Sequence, residues 1–402
     1  MNQRQTGKIK FCTGINPSKK LWLIGWKISL TVFFVLVLFC MQAYSFDISQ
    51  IREASPELLN CLAERIGDKT LNSVLKGNPP KNKKTQKKLK KAYYRCAAMT
   101  SENIPKDITP YSGPLFDAIS QIDETVDSKA AIIRVRKSGV TRLALFARSK
   151  RQLHQNEKMA LKIAELHPNL ITIGAPKYFQ LSGDISQLFI KATVKGIQKY
   201  GYRFIGEILY SHADKKSGKQ YPSGERYVDP LRTGTARLLE AIAPFKIPLM
   251  THWEPYAPER DFPKFHALYD AWPNQVFIVP HMGFASPMQV DTFLTRHPNL
   301  YMIISKKERL MEDFKDPRKQ ASIGSAFLDG FRLKPEWKKI LVQYQDRLLF
   351  GTDPHMKKLW DKYELTVKYH RLVLGQLPQE VAARIAHKNA EILYKTGPTP
   401  LP

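Results

Sequence analysis

The sequence predicts an α/β protein: a TIM-like (β/α)8 barrel preceded by an N-terminal transmembrane or signal helix and a small helical segment. Three observations lead there. Eight short apolar runs alternate with helical text between residues 113 and 351, the pattern of strands buried under helices. Three of these runs deliver a polar group at the same end: IPLMTHW (247–253) ends on His252, QVFIVPHMG (275–283) presents His281, and RLLFGTDP (347–354) ends on Asp353. A parallel barrel gathers its reactive side chains in this way, at the carboxyl ends of its strands. Finally, 402 residues with 43% hydrophobic content can bury one domain of about 250 to 300 residues with a smaller N-terminal portion beside it.

In chain order, residues 1–20 form a basic tail, expected to be cytoplasmic, and 21–45 an apolar segment expected to act as a transmembrane anchor or uncleaved signal. Arg4, Lys8, Lys10, Lys19, Lys20 and Lys27 stand there without an acid, followed by the uncharged ISLTVFFVLVLFCM (28–41). A positive flank ahead of an apolar run orients a single span N-in, C-out. Retention is the expected outcome, with cleavage after the AYS triplet the alternative, so the barrel is expected to be external or periplasmic. Residues 50–110 read as a helical hairpin region, with PELLNCLAERI (56–66) and KKLKKAYYRCAAM (87–99) separated by the breaker GNPPKNKK. Cys61 and Cys96 are the only cysteines past the apolar segment. Their expected state is a disulfide, with two buried thiols as the alternative.

The barrel is expected over 111–396. Its strands are placed at 113–120, 142–148, 170–176, 203–210, 247–253, 275–281, 300–306 and 347–351, with helices at 156–167, 185–200 and 235–243 among the connections. No glycine-rich phosphate loop follows the first strand, which argues against an open nucleotide-binding sheet. The net charge of +27 favours anionic partners without naming one. The stretch KNKKTQKKLKKAYYR (81–95) could lie on an anionic envelope surface or be a solvated face. No zinc-finger spacing or aromatic platform supports nucleic acid as a partner.

The text THW (251–253), PNQVFIVPHMG (273–283), HPNLYMIIS (297–305), LLFGTDP (348–354) and VAARIAHKNAEILY (381–394) resembles the amidohydrolase superfamily. The specific likeness is to the amidohydrolase-2 branch, which includes decarboxylases and lactone or amide hydrolases. The resemblance implies a divalent metal held by an HxH pair at strand one, a histidine after strand five and an aspartate after strand eight. His252 and Asp353 match the last two, and His281 matches a strand-six histidine that binds a second metal or assists the chemistry. The first strand departs from the pattern, since Ile119 and Gln121 stand where the histidine pair is expected. Isoleucine has no electron pair to donate, and a carboxamide oxygen is a weak substitute for imidazole toward zinc. Asp117 either joins the site or satisfies backbone groups.

Glu207 is an acid inside the apolar text FIGEILYSH and needs a cation or hydrogen-bond partner there. The expected site is therefore a zinc-class divalent metal on His252, Glu207 and Asp353, with Asp353 and His281 catalytic. Asp353 takes a proton from bound water and His281 stabilises the oxyanion or protonates the leaving group. His212 and His355 lie just past strands four and eight, where substrate contact and solvation are both open readings. Lys177, Lys306 and Lys307 at the rim point to a small anionic substrate. The leading functional expectation is a membrane-associated metal-dependent hydrolase. A degenerate barrel serving as an envelope binding protein, and a metal-dependent decarboxylase or lyase, are the alternatives.

Overall fold

The computed structural model describes residues 49–97, 104–148, 153–177, 184–212, 226–254, 258–305, 327–329 and 331–397. These fall into two compact units divided at Ala97/Ala98.

The first unit is a set of short helices: α1 (Ser49–Arg52), α2 (Pro56–Ile66), α3 (Asp68–Leu75) and α4 (Lys83–Ala97). Ser55 caps α2 by accepting from the Leu58 N–H, and proline opens its first turn, where the missing N–H costs nothing. Ile51, Leu58, Leu62, Leu71, Val74 and Leu89 form its core. A disulfide joins Cys61 on α2 to Cys96 on α4, with the Cα atoms 5.7 Å apart. Helix α3 interrupts what the sequence suggests is a two-helix hairpin.

No described helix is long and apolar enough to cross a membrane. The longest, α4, has 15 residues, about 22 Å of rise against the roughly 30 Å of a bilayer's hydrocarbon core. It is also rich in lysine. The expected span at 21–45 lies outside the described residues. This corrects the expectation of an N-terminal transmembrane or signal helix, and with it the single-pass location and the membrane partner, none of which any described element supports.

The second unit is the barrel. Its strands are β1 (Leu115–Ile122), β2 (Val140–Ala147), β3 (Ile171–Ile173), β4 (Ile205–Leu209), β5 (Leu249–His252), β6 (Phe277–Val279), β7 (Leu300–Ile303) and β8 (Leu348–Leu349). Parallel pairing runs β1-β2-β3 and β4-β5-β6-β7-β8. A parallel bridge between Ala175 and Ile205 joins the two groups on one side. On the other, Ala118 N–H donates to Phe350 O and Asp353 N–H to Ile119 O. The sheet thereby closes and leaves no edge.

Phe116, Ile119, Phe146, Phe204, Met250, Ile278, Ile303 and Leu349 fill the interior, with Tyr394 beside them. A packed lumen confines chemistry to the rim at the strands' carboxyl ends. The outer layer follows from local sequence. Asp127 and Ser186 cap the helices Ser128–Lys137 and Gln187–Tyr200, and Ser286 with Gln289 makes a capping box for Pro287–Arg296. Behind the rim, Trp253 packs on Phe265 and Phe293 at ring separations of 5.2 and 5.0 Å.

Candidate active site at the carboxyl ends of the strands

Five strands contribute to one buried cluster. Gln121 comes from β1, Glu207 from β4, His252 from β5, His281 from the turn after β6 and Asp353 from the turn after β8. All are 5% exposed or less, so each polar group must find a partner inside the protein. The backbone is strained where two of them are presented: His281 has φ 59° and Asp353 φ 46°, left-handed values that cost non-glycine residues energy and gather at functional sites. Gly283 follows at φ +61°, and a Cβ there would collide with the Trp253 ring.

Glu207 is the hub. Its Oε2 accepts from Lys177 Nζ and, at 3.0 Å, from Gln121 Nε2; its Oε1 lies 3.0 Å from His252 Nδ1 and 3.9 Å from His281 Nε2. Burial raises its pKa, but Lys177 and His252 outweigh that and hold it well below the ordinary carboxylate range. Burial disfavours a charged His252 ring, yet Glu207 and Glu254 more than compensate and leave its pKa raised. Gln121 Nε2 also donates to Asp353 Oδ1 at 2.6 Å. Asp353 Oδ2 faces His355 Nδ1 at 3.2 Å and His281 Nε2 at 3.5 Å.

The donor set fits a cation. His281 Nδ1 lies 3.2 Å from the Ser305 carbonyl oxygen. The Ser305 hydroxyl lies 3.0 Å from the same nitrogen and can donate to it, so Ser305 can serve either tautomer of the ring. Nε2 faces carboxylate oxygens of Asp353 at 3.5 Å and Glu207 at 3.9 Å, and a positive ion among these groups would offset the gathering of two acids. Two groups of residues place ligand atoms within 4.8 Å of one another, Glu207–His252–His281 and His212–His252–Glu254, consistent with binding of a divalent metal. They share His252, whose Nε2 lies 3.4 Å from Glu254 Oε1. His212 stacks on the same ring at 5.7 Å.

Of the expected ligands, Glu207 and His252 fall with His281 in one of these groups, while Asp353 joins neither and approaches through its 3.5 Å contact with His281. Asp117 is not part of the cluster. A register shift between Asp117 and Ser120 breaks the alternation that would align it with Gln121. It accepts instead from the Ile119 and Thr352 N–H groups and from the Ser120, Thr352 and Tyr363 hydroxyls. Its role is to brace β1 against the Thr352–Asp353 turn, and burial pushes its pKa up to about 6 despite those bonds. Lys177 is not a free rim cation, being paired with Glu207; Lys306 and Lys307 lie outside the described residues. The sequence reading did not single out Glu254, an acid two residues past His252. Spacing of two along an extended chain was the available signal.

A parallel barrel that collects imidazoles and carboxylates at one rim belongs to the metal-coordinating class of α/β-barrel enzymes. Residues 202–396 match the family model described as Amidohydrolase (Amidohydro_2), and this part of the chain belongs to the amidohydrolase-2 branch of the amidohydrolase superfamily. No curated relative matches the chain significantly. Among solved structures it is similar to an uncharacterised TIM-barrel protein from Bordetella bronchiseptica, at 15% identity and TM-score 0.43, covering 67% of this chain and 83% of that one. A probable 2-pyrone-4,6-dicarboxylic acid hydrolase from Acinetobacter baumannii shows 13% identity, TM-score 0.43 and coverage of 72% and 99%. A 2,6-dihydroxybenzoate decarboxylase from Rhizobium shows 11%, 0.41, 71% and 99%. Similarity at this level carries no conclusion about substrate. The family and site support an enzyme without singling out hydrolysis, and the expectation of membrane association is corrected, since no described helix is long and apolar enough to cross a membrane.

Proposed function

We propose that the barrel is a divalent-metal-dependent lyase that decarboxylates a small aromatic carboxylate. The observation that favours this over hydrolysis is the state of Asp353. Hydrolysis asks that carboxylate to take a proton from water. Here Oδ1 accepts from Gln121 at 2.6 Å and Oδ2 faces His355 Nδ1 at 3.2 Å, and donors to a carboxylate reduce its basicity. Decarboxylation asks for a site that holds a carboxylate and returns one proton to carbon.

Glu207, His252 and His281 would hold the ion, with Asp353 at its side; zinc suits two imidazoles and a carboxylate. When bound, the ion supplies Lewis-acid polarisation of a substrate oxygen. Lys177 keeps Glu207 ionised and fixes its orientation. Ser305 holds the His281 ring in place through contacts of its carbonyl and hydroxyl oxygens with Nδ1. His355 is 27% exposed at its side chain, its Nδ1 faces Asp353 Oδ2 at 3.2 Å, and the protonated ring would act as the proton carrier. The carbon–carboxyl bond breaks, carbon dioxide leaves, the electron pair stays on the ring carbon, and that carbon takes the proton from His355.

The test is incubation of metal-loaded full-length protein with aromatic carboxylates labelled with carbon-13 in the carboxyl group, alongside a panel of lactones. Release of labelled carbon dioxide, lost in His355→Gln and His252→Ala, is the expected result. Lactone opening without carbon dioxide release would replace this proposal with hydrolysis. Inertness of a cation-loaded parent toward both panels would point to a binding protein.

A further inference from the structure

We propose that Gln121 is itself a ligand, binding the cation through Oε1, at the position where the resembling pattern has a histidine; this rests on the cation reading given above. Gln121 is 1% exposed. Its Oε1 is buried without a hydrogen-bond partner among the described residues, while its Nε2 serves both Glu207 and Asp353. Leaving a buried carbonyl unsatisfied is destabilising, which a protein tolerates where the atom has another use. The two ends of a carboxamide have nearly the same shape, and which end faces which neighbour is decided by the surrounding partners. Without a cation, the amino end is the one that can sit between two carboxylates. With a cation there, rotation about the last side-chain bond brings Oε1 to that place, and the ion takes over the attraction that the N–H groups supplied.

Most of the spacings match those of ligands around one ion, the 2.6 Å contact with Asp353 being shorter. Donors at right angles around an ion with bonds of about 2.1 Å lie about 3.0 Å apart, and tetrahedral donors about 3.3–3.4 Å apart. The amide end of Gln121 is 3.0 Å from Glu207 Oε2 and 2.6 Å from Asp353 Oδ1. His252 Nδ1 is 3.0 Å from Glu207 Oε1, and His281 Nε2 is 3.5 Å from Asp353 Oδ2. Trp360 Nε1 donates to the Gln121 carbonyl at 2.9 Å and anchors the backbone from which the side chain reaches. A neutral oxygen in place of imidazole also tilts the site's preference toward oxygen-seeking ions such as manganese, relative to the same site with a histidine.

The experiment titrates chelator-stripped full-length protein with manganese, followed by electron paramagnetic resonance, and with zinc, followed by calorimetry. Gln121→Met keeps the length and removes the amide oxygen; it should weaken manganese binding about tenfold or more. Gln121→Glu should raise manganese affinity above that of the parent, and Gln121→His should raise the ratio of zinc to manganese affinity. Circular dichroism checks the fold of each variant. If Gln121→Met is unfolded, Gln121→Glu and Gln121→His still decide: unchanged manganese affinity in the first and an unchanged ratio in the second overturn the inference. A folded Gln121→Met that binds both ions like the parent overturns it while leaving the cation reading intact. A parent that binds neither ion removes both.

Discussion

Replacing Asp117 with asparagine should make the barrel's stability less dependent on pH, and the size of the effect can be worked from the structure. Asp117 is fully buried, and its pKa stands at about 6 against an ordinary 3.8, a difference equivalent to roughly 3 kcal/mol. The folded-state pKa is the higher one, so the proton favours the folded form. That contribution is complete below pH 3.8 and is lost as pH rises through 6. Asparagine does not titrate, keeps an oxygen for the Ile119 and Thr352 N–H groups, and offers N–H to hydroxyls of Ser120, Thr352 and Tyr363 that can rotate to accept it. From about pH 4 to pH 7 the parent should therefore lose roughly 2.4 kcal/mol relative to Asp117→Asn. Urea unfolding followed by tryptophan fluorescence, at unit steps of pH, measures that difference. A gap between the two proteins that stays constant within about 0.5 kcal/mol across the range would refute the account of Asp117 as a buried brace that titrates.

Four further outcomes are expected. Near-stoichiometric divalent metal should co-purify with the parent when no chelator is used and be lost in His252→Ala and Asp353→Asn; elemental analysis reads this, and full occupancy in both variants would contradict the site. Lys177→Met strands the buried Glu207 charge and should destabilise the barrel by about 3–5 kcal/mol, with Lys177→Met/Glu207→Gln recovering part of it. Because the Glu207 pKa is depressed, the stability from that pair should be present above the ordinary glutamate pKa and fade as pH falls through the lowered one; equal acid sensitivity of the double variant and the parent would argue against it. Reducing the Cys61–Cys96 bridge, which spans 35 residues, should cost the N-terminal unit about 4 kcal/mol, seen as faster proteolysis between 49 and 97 with the barrel fragment unaffected. Simultaneous loss of both units would contradict their independence.

Residue pattern alone determined much of this protein. Runs of apolar residues spaced by helical text fix eight strands because a strand buried on both faces needs no alternation and a covering helix needs its own stripe. All eight are found, with ends displaced by a few residues. The polar groups that end β5, β6 and β8 were legible for the same reason, as was Glu207, since an acid within an apolar strand demands a partner. Tertiary structure decided the rest. Sequence left Asp117 either joining the site or satisfying backbone groups, and a bulge in β1, where it pairs with β2, goes with the second outcome, its carboxylate accepting from Ile119 and Thr352 N–H. Lys177 read as a rim charge until barrel closure brought β3 next to β4 and set its ammonium against Glu207. Gln121 read as a lost ligand. Only the convergence of β1, β4 and β8 shows its amide between two carboxylates with its oxygen unused, because hydrogen bonds between residues 86 and 232 positions apart leave no trace in local sequence.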